Sequence, residues 1–298
     1  MEWILVIRNT LNYIENNLTN VLEIDEISRH VGVSSFYLQK GFAIATSYSI
    51  SEYIKSRRLS LAAEEVKNSK NNIIGIAYKY GYETPEGFTK AFIRFHGVSP
   101  SKMREKKLQH HQFDPLIIDL VIKGGNKMDY KITKMLSLKV IGFQKEFAFE
   151  EAYDKIPKFW DEVFTKKFAN ICAGKKPNNA YEQAIIDNSI GEYGVCIDDI
   201  GNGKFRYLIA GRYLGGEVPE GMVVYEFPYG EWAIFNCVGP IPESLQNLNT
   251  RIFKEWLPNN PEFELDGNAN IEWYDVVKDG NTDANYHSAI WIPIKRKK

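Results

Sequence analysis

Cysteine is scarce in this chain: Cys172, Cys196 and Cys237 are the only three in 298 residues, and none forms a Cys-x-x-Cys pair. An odd, widely spaced set argues against a disulfide framework. Long apolar runs are missing too. None approaches the ~18 residues of a membrane span, and Met1-Glu2-Trp3 lacks the basic segment and apolar core of a secretory signal. A soluble, cytoplasmic protein without membrane contact is expected. The familiar chemical motifs are also absent: no His-Glu-x-x-His, no Gly-x-Ser-x-Gly, no phosphate-binding glycine loop and no metal-ligand spacing. No catalytic residue, metal or cofactor is therefore expected, and the chain does not read as an enzyme. His110-His111 is an isolated pair in a polar stretch, and Gly201-Asn202-Gly203 reads as a hairpin turn rather than a phosphate cradle.

What is present points to two domains. The length suits two, and 44% hydrophobic with 13% aromatic residues is ample for buried cores. A formal net charge of −1 hides an asymmetry: residues 1–112 hold 15 Lys+Arg against 11 Asp+Glu, a balance of +4, and the rest hold 22 against 27, a balance of −5. The basic part is the candidate for nucleic acid.

The first hundred residues read as helices throughout. Trp3, Ile4, Ile7, Leu11 and Ile14 recur at three- and four-residue steps, predicting a helix over 2–17. Ile24, Ile27 and Val31 mark a short helix stopped by Gly32, and Ser34 caps a third through Phe36, Leu38 and Phe42. Residues 50–69 form a long connecting helix. Ile73–Tyr80 is a short helix, Gly81 breaks it, and Thr84-Pro85 opens another through Phe88, Phe92 and Phe95 to Gly97. Ser99 caps a last helix over 100–107. Helix, glycine turn and second helix is the arrangement that lays one helix in a DNA major groove, and it occurs twice.

The texture changes near residue 112. A polar hinge is expected at 108–113, and alternation from Leu116 to Ile122 with the Gly124-Gly125-Asn126 turn predicts a hairpin over 115–135. Strands follow at 139–149, 193–200, 205–213, 222–227, 231–238, 271–277 and 287–293, with helices over 151–168, 178–188 and 242–256. A strand, a long helix and a two-stranded hairpin occur at 139–213 and again at 231–294, which suggests two similar α+β halves with a cleft where they meet.

Specific residues carry a family likeness. Ser34-Ser35-Phe36-Tyr37-Leu38-Gln39-Lys40 and Phe42, then Ser51-Glu52-Tyr53-Ile54, Arg58-Leu59, Ile76-Ala77, Gly81-Tyr82, Phe88, Phe92 and Gly97-Val98-Ser99-Pro100, resemble the DNA-binding domain of AraC/XylS-type transcription regulators over about residues 3–107. The resemblance implies a tandem, all-α double helix-turn-helix domain of about seven helices joined by a linker helix. The chain departs from the family's habit at Ser47, where glycine is common, and at Lys40 and Lys90, where arginine is. In the first recognition helix, Ser35, Phe36, Gln39 and Lys40 are the candidate DNA contacts: Gln can pair with adenine, Lys with guanine acceptors, Phe with a thymine methyl. In the second, Thr84, Glu86, Gly87 and Lys90 face outward, with Thr89 and Arg94 as phosphate partners. Two helices on one face, roughly 34 Å apart, imply an asymmetric site of about 20 base pairs and some DNA bending.

Residues 128–298 resemble the GyrI-like (Rob-type) effector-binding domain, through Met128-Asp129-Tyr130, Val140-Ile141-Gly142, Tyr229-Gly230-Glu231-Trp232-Ala233 and Ile271-Glu272-Trp273-Tyr274. The resemblance implies two pseudo-symmetric strand-helix-hairpin halves around a central groove, with the carboxylate of Glu272 at its base. A carboxylate among rings favours a flat, greasy cation. Phe159, Trp160, Tyr193, Tyr225, Phe227, Tyr229, Trp256 and Trp273 are the candidate ring contributors.

The domain layout expected is therefore 1–110 for DNA binding, 111–127 as linker and first strand, and 128–298 for the effector. The function expected is a ligand-responsive, sequence-specific regulator, an activator, whose partners are double-stranded promoter DNA, a small-molecule effector and RNA polymerase. Two alternatives stay open: hydrolase or scavenger activity in the second domain, and a second domain that binds a protein instead of a ligand.

Overall fold

The structure, a computed structural model, describes residues 3–106, 108–118, 128–201, 203–275 and 283–297. The chain divides into two compact units: Met1–Trp3, Ser34–Ser47 and Lys123–Lys298 form one, and Ile4–Val33 with Tyr48–Ile122 form the other. The division in space thus moves one helix of the basic region, including the first candidate recognition stretch, into the unit that holds the sheet.

The helices run as α1 (Trp3–Asn16), α2 (Ile24–Val31), α3 (Ser35–Thr46), α4 (Ile50–Asn68), α5 (Ile73–Lys79), α6 (Pro85–His96) and α7 (Pro100–Lys106). Each follows the punctuation in the sequence. Ser34, Ser49, Asn72 and Thr84 cap α3 to α6 through their side chains, and Ser49 completes a reciprocal capping box with Glu52. Ser47 ends α3 at φ 64°, a left-handed conformation that glycine adopts without strain and serine does not.

In the second unit, α4 to α7 bury Leu59, Val66, Ile76, Phe88, Phe92 and Met103 in one apolar cluster. Buried Arg57 holds α4 to α1 through Glu15, which accepts from Nε and Nη2 at 2.9 Å and from the Tyr53 hydroxyl at 2.7 Å. Arg57 Nη1 also donates to the carbonyl of Phe113, the Phe113 amide donates to Ser60 Oγ at 3.0 Å, and the Phe113 ring meets Tyr48 and Tyr53 edge-on. His111 stacks on Phe95 at 4.9 Å. The segment expected as a hinge at 108–113 is therefore packed onto α4 and α6.

His96 illustrates what burial does here. Its Nε2 lies 3.1 Å from the Leu59 carbonyl, and its Nδ1 has no hydrogen-bond partner among the described residues. Burial pushes its pKa down to about 4. An unfolded histidine takes up a proton near pH 6.5, and the folded ring refuses it until about pH 4. The stability contribution is thus complete above about pH 6.5 and falls as pH drops through that window. Urea midpoints between pH 7 and pH 4 should fall with acidity, and His96→Gln should flatten the slope. Parallel slopes in both proteins would count against the assignment.

In the first unit the described strands form a nine-stranded sheet: β1 (Tyr130–Met135), β2 (Leu138–Ala148), β3 (Tyr193–Gly201), β4 (Lys204–Arg212), β5 (Val223–Phe227), β6 (Gly230–Val238), β7 (Phe263–Leu265), β8 (Ala269–Tyr274) and β9 (His287–Arg296). Its order is β1-β6-β9-β8-β3-β4-β2-β5, with β7 added on β9, and every pair is antiparallel. A 3-10 turn (Phe149–Glu151) leads into α8 (Ala152–Lys167), followed by the short α9 (Ala169–Cys172) and by α10 (Ala180–Asp187). Helix α11 (Glu243–Arg251) continues through a π turn (Ile252–Trp256) into α12 (Leu257–Asn259).

The expected repeat is present as β2-α8-β3-β4 and β6-α11-β8-β9. The halves share one continuous sheet, joined where β3 pairs with β8, and the order reads symmetrically outward from that seam. The outermost strands are exchanged: β1 pairs with β6 of the other half, and β5 with β2. This corrects the hairpin expected over 115–135. Tyr130–Met135 pairs with β6, residues 113–118 carry no regular structure, and residues 119–127 lie outside the described residues. Alternation at 116–118 shows only which side chains turn inward; a strand also needs a neighbouring backbone. The strand expected over 271–277 ends at Tyr274, with 276–277 outside the described residues.

The sheet has two buried faces. One carries Val140, Val195, Leu208, Ile271 and Trp232, and residues of both edge strands, Met135 and Tyr225, pack against this same cluster, so the sheet curls around it. The other faces the helices, with Phe143 against Phe168, Phe147 against Phe159, and Phe235 against Trp256.

Candidate functional site

Strand alternation puts Asn270, Glu272 and Tyr274 of β8 on the helix-bearing face. Glu272 stands beside the seam, opposite Gly194 of β3. Any side chain at Gly194 would collide, since its Cβ would lie 2.1 Å from the Tyr207 hydroxyl and 2.7 Å from Glu272 Oε2. The glycine makes room for a three-residue arrangement. Tyr207 of β4 and Tyr274 of β8 both donate to Glu272 Oε2, at 2.7 and 2.9 Å. Trp160 of α8 donates through Nε1 to the Tyr207 oxygen at 2.9 Å and sets its indole edge-on to the Tyr274 ring, centroids 5.0 Å apart. Between the two helices, Asn249 of α11 donates to the Tyr153 hydroxyl of α8 at 2.7 Å, and Gln246 to the Tyr153 carbonyl at 3.0 Å.

The electrostatics follow from burial. Desolvation, and then the Glu272 charge, hold Tyr207 and Tyr274 well above the ordinary tyrosine pKa, so both stay protonated donors. Desolvation of its hydroxyl also raises Tyr153, although the residue as a whole is exposed, and burial pushes the Cys196 thiol up to about 12. Glu272 itself is half-buried. Among the described residues no lysine or arginine lies within ion-pair distance of it, and Oε1 receives no hydrogen bond.

Of the nine residues expected to line the groove, the structure brings Glu272 and Trp160 together. Trp273 pairs with Tyr193 across the β3–β8 seam, and both turn to the opposite face with Tyr225 and Phe227. The reason is the two-residue period: a neighbour of Glu272 along the strand points away from it. Phe159 is core beneath α8, Trp256 is wedged against Tyr130 and Phe235, and Tyr229 is exposed in the β5–β6 turn. Tyr207, Tyr274, Tyr153 and Asn249 went unread. The same period pointed to Tyr274, two residues from Glu272; the others reach the site through tertiary pairing.

Helix α3 is packed on this same face. Its residues Ser34, Tyr37 and Lys40 form one stripe at three-residue steps and bond to the start of β8 and the turn before it. Ser34 Oγ donates to the Gly267 carbonyl at 3.2 Å, the Tyr37 hydroxyl to the Ala269 carbonyl at 2.8 Å, and Lys40 Nζ to Asn270 Oδ1 at 2.6 Å. Phe36 is fully buried, edge-on to Phe149 and Phe205. The Lys40 ammonium lies 5.9 Å from the Phe36 ring centre and 5.8 Å from that of Phe253 in the π turn. The Trp3 indole covers Gly41, where a Cβ would fall 1.9 Å from the ring. The open face expected from Ser35, Phe36, Gln39 and Lys40 is thus corrected: Ser35 and Lys40 are half-buried, and Phe36 and Gln39 are buried, because the helix is apolar on more than one side and packs on more than one side.

The second reading helix differs. On α6, Thr84, Glu86, Gly87, Lys90 and Arg94 are exposed and Thr89 is half-buried. Thr84 Oγ1 accepts from the Gly87 amide at 3.1 Å as the cap, and the Thr89 hydroxyl donates to the Pro85 carbonyl at 2.9 Å. Lys55 of α4 is exposed; partial desolvation of its ammonium and then the neighbouring Arg94 charge lower its pKa, a cationic pair unread in the sequence.

A tandem helix-turn-helix region followed by a two-half α+β domain defines the class: an AraC-type DNA-binding region joined to an effector-binding domain. Residues 131–294 match the model of integron-associated effector-binding proteins, and residues 27–106 match a helix-turn-helix domain. The first match spans more than half of the chain, and the protein belongs to that effector-binding family, with an AraC-type helix-turn-helix region in front. Over 99 residues it is 37% identical to the HTH-type transcriptional activator AarP of Providencia stuartii, covering 33% of this chain and 73% of AarP. Over 105 residues it is 32% identical to the multiple antibiotic resistance protein MarA of Escherichia coli (strain K12), covering 35% of this chain and 83% of MarA. The structure of SAV2435 bound to tetraphenylphosphonium aligns with a TM-score of 0.45 at 20% identity, over 56% of this chain and 94% of that one. No helix among the described residues is long and apolar enough to cross a membrane.

Proposed function

We propose that the protein is a ligand-responsive transcription regulator that binds promoter DNA sequence-specifically and senses a small lipophilic cation at Glu272. The observation that carries the effector half is the half-buried Glu272 carboxylate, held by Tyr207 and Tyr274 through Oε2, with Oε1 open and no cationic side chain paired to it. A cation bearing apolar rings satisfies that charge and gains ring contact from Trp160. A neutral or anionic ligand leaves the carboxylate uncompensated.

The DNA half is supported by the exposed edge of α6 and by the kinship with AarP, whose name describes a transcriptional activator. Lys90, Arg94 and Lys55 supply phosphate contacts, and Glu86 and Gly87 approach the bases. Ser35, Phe36, Gln39 and Lys40 take their place in a second groove when α3 is free. The direction is activation, through contact with RNA polymerase in the cytoplasm. Fluorescence titration of the full chain with tetraphenylphosphonium, with Trp160→Phe assigning the part of the signal that comes from Trp160, tests the first half; selection of duplexes from a random pool tests the second. A protein that leaves the dye cation free and enriches no sequence would refute the proposal.

A further inference from the structure

We infer that α3 is an internal occupant of the effector groove: in the ligand-free chain Ser34, Tyr37 and Lys40 latch it to the start of β8, and a cation arriving at Glu272 expels it and frees its polar edge for DNA. The inference rests on the effector reading of Glu272 given above.

The latch has a specific geometry. Three side chains one helical turn apart meet Gly267, Ala269 and Asn270 in succession. Phe36 meets the turn before α8 and the start of β4, and Phe253 closes the other side through Lys40. The helix therefore lies between the turn before α8 and the π turn after α11. Its single charge, Lys40, is aimed inward. Asn270 is almost completely buried, and its Oδ1 accepts from the ammonium. Closing the latch therefore pairs the cation with an amide that water does not reach.

The coupling to effector is electrostatic and steric. Asn270 and Glu272 are successive residues on the same face of β8, roughly 6.6 Å apart along the strand. The Lys40 ammonium is thus about one strand step from the carboxylate. Cys196, opposite Asn270, registers both charges, with Lys40 lowering and Glu272 raising its pKa after the dominant effect of burial. A ligand cation at Glu272 faces a like charge at close range in a poorly solvated groove, so it binds better once α3 has left. By linkage the same factor strengthens DNA binding by α3, because Lys40 cannot bond to β8, nor Phe36 pack on Phe149 and Phe205, while either enters a major groove.

Hydrogen–deuterium exchange on the full chain tests this. Tyr37→Phe removes one latch bond without touching a proposed base contact, and should speed exchange of the Phe36–Thr46 amides about tenfold without ligand. Tetraphenylphosphonium at a concentration just sufficient to saturate wild type should speed the same amides in wild type and speed them far less in Glu272→Gln, which binds it about 30-fold more weakly. Lys40→Met should bind the cation about tenfold more tightly. Unchanged α3 exchange while the cation binds in a Glu272-dependent way would overturn the latch and leave the effector reading intact. Failure of wild type, Tyr37→Phe and Lys40→Met alike to bind the cation would sink the effector reading, and the latch with it.

Discussion

Glu272→Gln should lower the affinity of the full chain for tetraphenylphosphonium about 30-fold, roughly 2 kcal/mol, and change affinity for neutral triphenylphosphine oxide less than about threefold. The substitution keeps the shape of the side chain and an acceptor for Tyr207 and Tyr274, removes the charge and turns the other oxygen into an amide donor. A charge-based site loses cations selectively; a merely greasy one loses nothing. Because both hydroxyls are held protonated by burial, cation affinity should not respond to tyrosine ionisation through pH 9. Isothermal titration of the two ligands against both proteins decides the matter, and equal losses for cation and neutral analogue would remove the charge from the account. The same variant separates sensing from chemistry, since a hydrolase using this carboxylate would lose turnover of a candidate ester along with binding.

Lys90→Ala and Arg94→Ala should each weaken binding to a selected duplex about tenfold near 0.15 M salt and lower the salt slope by about one. Both side chains are exposed on α6, and Arg94 is reinforced by Lys55. Their effect should be the same with and without effector, because α6 belongs to the other compact unit from the groove. Lys40→Ala is expected to behave differently. Without a cation its ammonium is engaged by Asn270, so its loss should not reduce DNA affinity; with the cation present it should cost about as much as Lys90→Ala. Electrophoretic mobility shifts at several salt concentrations check this. A Lys40→Ala loss identical in both conditions would mean that α3 reads DNA whether or not ligand is bound.

Helices α2 to α6 of the basic region were legible because they carry their own boundary chemistry, with Gly32 and Gly97 at left-handed ends and Ser34, Ser49, Asn72 and Thr84 as caps, and α1 was legible from its apolar period. The repeat of strand, helix and hairpin was legible for the same reason. The exchange of β1 and β5 between halves was not, because pairing partners are chosen by tertiary geometry and residues 116–118 alternate as a strand would. Glu272 stood out as an acid among rings, and Trp160 as a ring on an amphipathic helix. Tyr207 of β4 reaches Glu272 of β8 across the intervening β3, a relation that no local period encodes. The destination of α3 did leave a trace. Ser35–Thr46 holds one charged residue, Lys40, with Phe36, Tyr37, Leu38, Phe42 and Ile44 spread around the axis. A helix apolar on several sides is built to be covered on several sides, and reading Phe36 and Gln39 as solvent-facing passed over that.

The most direct measurement is the affinity of the wild-type chain for a selected duplex, titrated with and without saturating tetraphenylphosphonium. The account predicts that the cation tightens DNA binding about tenfold and steepens its salt dependence, as phosphate contacts from α3 join those from α6. Equal affinity and equal slope in the two titrations, with the cation demonstrably bound, would contradict it.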